Sequence, residues 1–126
     1  MRQQYHSRII SDQRTIWDVN RLVRLSTSLP VKEVSLSEIN ELDECFWFGE
    51  DNAGATCRQV AEHALLINET DLKYPIILSA DGGVMDGMHR VAKALIEGRE
   101  SIKAVQFELD PEPDYINVDV DDLPYD

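Results

Sequence analysis

Basic residues are scarce in this chain. Its 126 residues include 12 Lys and Arg against 24 Asp and Glu, a formal net charge of -12. So acidic a surface cannot neutralise a row of phosphates over its whole extent, which argues against general coating of DNA or RNA. Only the amino-terminal stretch runs against that balance, with five Arg beside Asp12 and Asp18 between Met1 and Arg24. Long apolar runs are missing too, and none approaches the ~20 residues of a membrane span. The opening Met1-Arg2-Gln3-Gln4-Tyr5-His6 leads into no apolar core of a secretory signal. Cysteine is limited to Cys45 and Cys57, twelve positions apart. That spacing fits no CxxC zinc or redox pattern, so two reduced thiols in a cytoplasmic protein are expected. His6, His63 and His89 share no metal-ligand spacing. Asp119, Asp121 and Asp122 lack the glycine and final Glu of a calcium loop. No protein-bound metal is therefore expected.

What is present describes a folded chain. Hydrophobic residues make up 43% of it, and its length falls within the roughly 100–200 residues of one domain. A chain this long can bury a core without staples. Ile16, Val19, Leu22 and Val23 form an apolar stripe at helical spacing between Ser11 and Ser26, with Arg14, Asp18 and Arg21 on another face. Residues 1–29 therefore read as an Arg-rich amino-terminal helix that ends at Pro30. Val31 to Leu36 alternates as a strand, and Ser37 can cap a helical turn through Leu42. Cys45 to Gly54 mixes three aromatics with loop formers. It reads as a short apolar piece, its aromatics in the core, followed by a loop that closes over something.

Thr56-Cys57-Arg58-Gln59 has the form of a capping box. It opens a helix expected to bury Val60, Ala64 and Ile67, with His63 half-buried in a structural role at the edge of the stripe. Pro75 opens a strand over Ile76, Ile77 and Leu78, Ala80-Asp81-Gly82-Gly83 is a turn, and Val84-Met85 returns. Met88 to Glu97 forms a helix with Val91, Ala92, Leu95 and Ile96 inward, stopped by Gly98. Ser101 to Phe107 makes the last strand of a core over 31–107. Residues 108–126 carry eight acids, no base and three prolines, an acidic tail either loose or wrapped on the body. The order predicts one α/β domain, a small mixed sheet with flanking helices.

Asp86-Gly87-Met88-His89-Arg90 is the sharpest chemical signal. It lies between a short strand and a helix start. Gly87 permits a tight turn and close approach of a ligand. First-turn amides lack internal partners, and their partial positive charge favours an anion. Arg90 adds a fork of donors, His89 a donor or protonatable ring, and Lys93 a point charge one turn on. The alternative reading of the same residues is structural, with Asp86 as helix cap and Arg90 as its ion-pair partner.

Tyr74-Pro75-Ile76-Ile77-Leu78, then Asp81-Gly82-Gly83-Val84-Met85-Asp86-Gly87-Met88-His89-Arg90 and Ala92-Lys93-Ala94-Leu95, resemble the ParB/sulfiredoxin superfamily. Val31 to Leu36 leading into Ser37-Glu38-Ile39 is similar to that family's opening strand and turn. The resemblance covers roughly 31–107. It implies a ParB/sulfiredoxin-like fold with nucleotide phosphates held by Gly87, Met88, His89 and Arg90. Members include CTP-binding partition proteins, ATP-dependent sulfiredoxins and free-serine kinases. Sulfiredoxins carry Cys where this chain has Met88, so sulfinic-acid repair would have no nucleophile there. Partition proteins continue into a helix-turn-helix, whereas an acidic tail follows here. The kinases use a carboxylate near the end of the opening strand as base, a place that Glu38 or Glu41 would fill.

Three functions follow as expectations. The first is nucleotide or phosphate binding in a small-molecule kinase or nucleoside triphosphatase, with ATP, ADP or CTP and Mg²⁺ held mainly by phosphate oxygens. In it, Asp86, Gly87, Met88, His89, Arg90 and Lys93 bind, and Glu38, Glu41 and His89 serve catalysis. The second is a non-catalytic, nucleotide-responsive or protein-partner-binding module. The third, DNA binding or nuclease action, rests on the family label and is opposed by the charge.

Overall fold

The computed structural model of the chain describes residues 3–48 and 55–125. In chain order these form β1 (Tyr5–Ile10), β2 (Gln13–Asp18), α1 (Val19–Ser26), β3 (Lys32–Ser35) and two short 3₁₀ turns (Leu36–Glu38, Asn40–Asp43). There follow α2 (Cys57–Glu69), β4 (Ile76–Leu78), β5 (Val84–Asp86), α3 (Met88–Ile96), β6 (Ser101–Gln106), β7 (Tyr115–Ile116) and a last 3₁₀ turn (Val120–Asp122). The architecture is mixed α/β, with two small sheets and three α-helices among the described residues.

The four-stranded sheet, ordered β3-β6-β4-β5, is the centre. β6 runs parallel to β4 and antiparallel to β3, and β4 is antiparallel to β5. Ile76, Ile77 and Leu78 are all buried because this sheet is covered on both faces. Side chains alternate along a strand. Accordingly, Ile76 and Leu78 join Ala104, Ile102 and Val34 against Met88, Val91 and Ala94 of α3. Ile77, Val105, Met85 and Phe107 face the other way, onto Leu22 of α1 and Trp17 of β2. Burial of each Val, Leu, Ile, Met or Phe among these stabilises the fold by about 1.5–3 kcal/mol.

The amino-terminal stretch corrects the expected helix. It folds as a β-hairpin, β1 against β2 from Tyr5↔Asp18 to Ile10↔Gln13, and only Val19–Ser26 is helical. Ser11 and Asp12 both take positive φ, 51° and 64°, the geometry of a two-residue hairpin turn. Such turns usually announce themselves with Asn-Gly or Asp-Gly. Here neither glycine nor asparagine marks the place, so the apolar positions Ile16, Val19 and Leu22 imitate a single helical stripe. Asp18 ends β2 and caps α1, accepting from the Asn20 amide at 2.9 Å. Arg14 lies on the strand rather than on a helical face with Arg21.

The acidic tail is wrapped on this hairpin. β7 pairs with β2, making a second sheet in the order β1-β2-β7. Arg21 holds the Asp114 carboxylate at 3.2 Å and the Glu112 carbonyl at 2.7 Å. The Trp17 indole N–H donates to the Pro111 carbonyl at 2.8 Å, the Tyr5 hydroxyl donates to the Pro124 carbonyl, and Leu123 is buried.

Two helix faces also differ from expectation. α2 begins with the expected capping box at Thr56 and Gln59. It buries no residue fully, and Val60 and Leu65 are more than half exposed. Its inner side is His63, Leu66 and Ile67, all half-buried. Apolar residues lie on most sides of this helix, so spacing alone does not choose the docked one. In α3, Ala94 is inward and Leu95 and Ile96 are exposed, because the last turn runs past the sheet. Trp47 packs against the α3-side core, and the expected loop at 49–54 lies outside the described residues.

This packing sets a contrast in thermal or urea unfolding. Leu22→Ala should cost about 2–5 kcal/mol, whereas Leu95→Ala should stay within about 0.5 kcal/mol. Equal losses would contradict the packing described.

Candidate functional site

Gly87 joins β5 to α3 in the left-handed region, with φ of +107°. A Cβ there would stand 2.6 Å from Ile76 Cγ2 and 2.8 Å from Arg90 Nη2. Glycine is thus required twice over, for the turn and for contact with the strand beside it. It offers no side-chain cap to the helix. Arg90 folds back over this opening. Its Nη2 meets Asp86 Oδ2 at 3.0 Å and its Nη1 donates to the Tyr74 carbonyl at 3.5 Å. An acid four residues before an arginine, at a helix start, is the favourable orientation for such a pair. Both side chains are largely shielded, at 13% and 20% exposure. The guanidinium has five N–H donors, so these two bonds leave part of the fork for another acceptor.

This corner opens on a cavity of about 650 Å³, within the size range of small-molecule sites. Asp86, Gly87, His89 and Arg90 line it at the α3 end. Ser26, Thr27 and Leu29 at the end of α1, and Leu66, Glu69 and Thr70 at the end of α2, line other parts. Val23, Ile77 and Val105 supply apolar wall. Among the described residues, Arg90 is the one Lys or Arg in the lining, and Glu69 and Asp86 are its carboxylates.

The remaining sequence candidates lie elsewhere. Met88 is a core residue, 7% exposed. Lys93 turns away from the cavity and donates to the Asn68 and Thr70 carbonyls at 3.0 and 2.6 Å, closing the end of α2. Glu41 accepts from the Val84 amide at 2.8 Å and braces β5. Glu38 is exposed, and neither glutamate lines the cavity. The catalytic roles expected of Glu38 and Glu41 therefore have no geometric basis at this site, nor does a phosphate contact by Lys93.

Two residues that sequence reasoning did not place there contact His89 without themselves lining the cavity. His63 Nδ1 lies 2.8 Å from His89 Nε2. Trp47 stacks on both imidazoles, at ring-centroid distances of 4.4 and 4.6 Å. His63 and His89 are 26 positions apart and Trp47 lies in a turn on neither helix, so no spacing could have grouped them. Burial, the larger effect, holds His63 below the ordinary histidine value, while Glu62 opposes it. Among the described residues no three His, Cys, Asp or Glu gather as a metal site, and no helix is long and apolar enough to cross a membrane.

The β4–β5 turn that leads to this corner is itself polar and tight. The Ser79 hydroxyl and the Gly83 amide both donate to the Asp81 carboxylate, and Arg8 approaches it at 3.2 Å. These contacts, Ser79 foremost, hold Asp81 down to about 2.

No family model, no curated protein and no solved structure matches this chain.

Two outcomes follow. Gly87→Ala should destabilise the protein by about 1–3 kcal/mol in chemical denaturation; an unchanged midpoint would show that the tight approach to Ile76 is absent. Asp81 is charged in the folded state down to about 2 but protonates near 3.8 when unfolded. Its stabilising effect is thus complete above the unfolded value and declines as pH falls toward the folded one. Asp81→Asn should lower the melting temperature at pH 6, and the gap should narrow by about pH 3. A gap that widens with acid would contradict the assignment.

Proposed function

We propose that the cavity binds a nucleotide or another phosphorylated small molecule, its anionic end at the start of α3 and its apolar part between the ends of α1 and α2. The observation that carries this reading is the coincidence of two independent signals. Four of the six residues singled out for phosphate binding, Asp86, Gly87, His89 and Arg90, line one cavity of about 650 Å³. In this reading the chain carries a ParB/sulfiredoxin-like core, with its hairpin and tail as additions to that core.

The chemistry of the lining fits such a ligand. The first turn of α3 contributes backbone polarity suited to an anion. The free part of the Arg90 fork donates to a phosphate while the Asp86 pair holds the guanidinium in place. Apolar wall at Val23, Leu29, Ile77 and Val105 suits a planar base. Mg²⁺ would arrive on phosphate oxygens, with Asp86 and Glu69 the cavity carboxylates able to add to its shell. The role is that of a nucleotide-responsive binding module, since the two glutamates expected to act as base lie off the cavity. Phosphoryl transfer is the second reading, favoured by His89 and Asp86 in the wall. DNA binding is opposed by the net charge of -12.

Thermal shifts with ATP, ADP, CTP, GTP and inorganic phosphate, each with and without Mg²⁺, test the proposal. A ligand at a hundred times its Kd should add about 2.7 kcal/mol, and the Asp86→Asn/Arg90→Gln double variant, which leaves no unpaired charge, should lose that response. Release of ADP or phosphate in the same samples separates turnover from binding. No shift across the panel overturns the proposal.

A further inference from the structure

The contact between His63 and His89 is more specific than packing requires. Their ring centroids are 5.1 Å apart with planes 21° from parallel, while the facing nitrogens are 2.8 Å apart. Those values place the imidazoles edge to edge, as one flat hydrogen-bonded unit. The Trp47 indole lies across both rings, 25° and 16° from parallel. Phe48 meets His63 edge-on at 5.2 Å. His89 also lines the cavity.

An N···N contact of this length needs one proton between the rings, donated by one and accepted by the other. Adding a single proton keeps that arrangement, because an imidazolium still donates to a neutral partner. Adding a second sets two N–H groups against each other and breaks it. The pair therefore accommodates one extra proton and resists two, the behaviour of a coupled site. The indole face favours the singly charged form.

Glu62 lies next to His63 on α2, and the Asp86–Arg90 pair flanks His89 at the start of α3. Trp47 and Phe48 bring uncharged rings, preceded by the titratable Asp43, Glu44 and Cys45, Lys93 lies one turn on from His89, and Glu69 and Tyr74 are the other titratable residues of the cavity wall among the described residues. Burial beneath the indole disfavours charge on His63. An anion entering beside His89 favours charge on the pair, by adding negative charge next to it.

We infer that His63 and His89 act as one proton-binding unit, roofed by Trp47, that takes a single proton from solvent when an anionic ligand enters the cavity, so that binding there is proton-linked. This rests on the reading of the cavity as an anion site and names how that site is regulated. His63 is a positioning residue: it holds the His89 ring through the Nδ1–Nε2 hydrogen bond, and it shares the incoming charge.

The test is a pH titration of the full chain labelled with ¹⁵N-histidine, without ligand and with saturating ATP. Without ligand, the His63 and His89 rings should show coupling across their hydrogen bond and move in one shared transition. His6, held to about 4 by its own burial, serves as the internal comparison. ATP should raise the shared transition by half a pH unit or more, equivalent to about threefold tighter binding to the protonated unit. Tryptophan emission should follow the same transition, and Trp47→Phe should remove that response. His63→Asn should make the ATP-induced melting shift independent of pH. Uncoupled rings that titrate independently overturn the inference. A melting shift with ATP while the transition stays in place overturns the proton linkage and leaves the binding proposal standing. Absence of any ATP binding removes both.

Discussion

The turn at Gly87 is the constraint on which the site depends. A left-handed residue with no Cβ lets β5 pass into α3 directly against Ile76, and it leaves room for Arg90 to fold back to Asp86. That single passage fixes the direction of the helix start, the height of the guanidinium and the position of His89. Because Ile76 is fully buried in the central sheet, the corner inherits the rigidity of the core. A binding group held on a strand–helix junction of this kind is oriented before any ligand arrives, which lowers the ordering cost of binding.

The parts outside the central sheet make the cavity rather than the corner. α1 covers the second face of the sheet, and its end supplies Ser26, Thr27 and Leu29 to the wall. The hairpin before it is secured by the acidic tail, whose Asp114 reaches both Arg21 and the Asp18 amide. The opposite charges of the two ends of the chain thus serve each other. α2 closes another side while burying little. Its end is fastened through Lys93, and its middle through the His63–His89 contact. A helix held mainly by polar contacts has a low cost of local opening, which suits a wall that must admit a ligand.

The central elements were legible because each carries a local signal. Pro75 before three apolar residues, the Asp81-Gly82-Gly83 turn, the Thr56 capping box and glycine after Asp86 all have direct physical meanings, and β4, β5, α2 and α3 stand where those signals place them. The hairpin was not legible, since Ser11 and Asp12 adopt positive φ without the glycine that usually betrays it. Helix facing was legible only where one side was clearly apolar. Leu95 and Ile96 are apolar yet exposed, because what decides their burial is the extent of the sheet beneath them. Within the site, Asp86, Gly87, His89 and Arg90 could be found from one contiguous motif. Lys93 was misplaced because its long side chain, one turn on from Arg90, reaches the Asn68 and Thr70 carbonyls of α2 instead, a partner that only tertiary folding brings near. His63 and Trp47 reach the site only through tertiary folding.

The most direct measurement of the central claim is residue-resolved chemical-shift mapping of the backbone amides during titration with ATP and Mg²⁺. The account predicts saturable changes at residues 86–90, with accompanying changes at Leu29 and Thr70 across the cavity and none at Glu38. Changes confined to other surfaces, or none at 86–90, would contradict it.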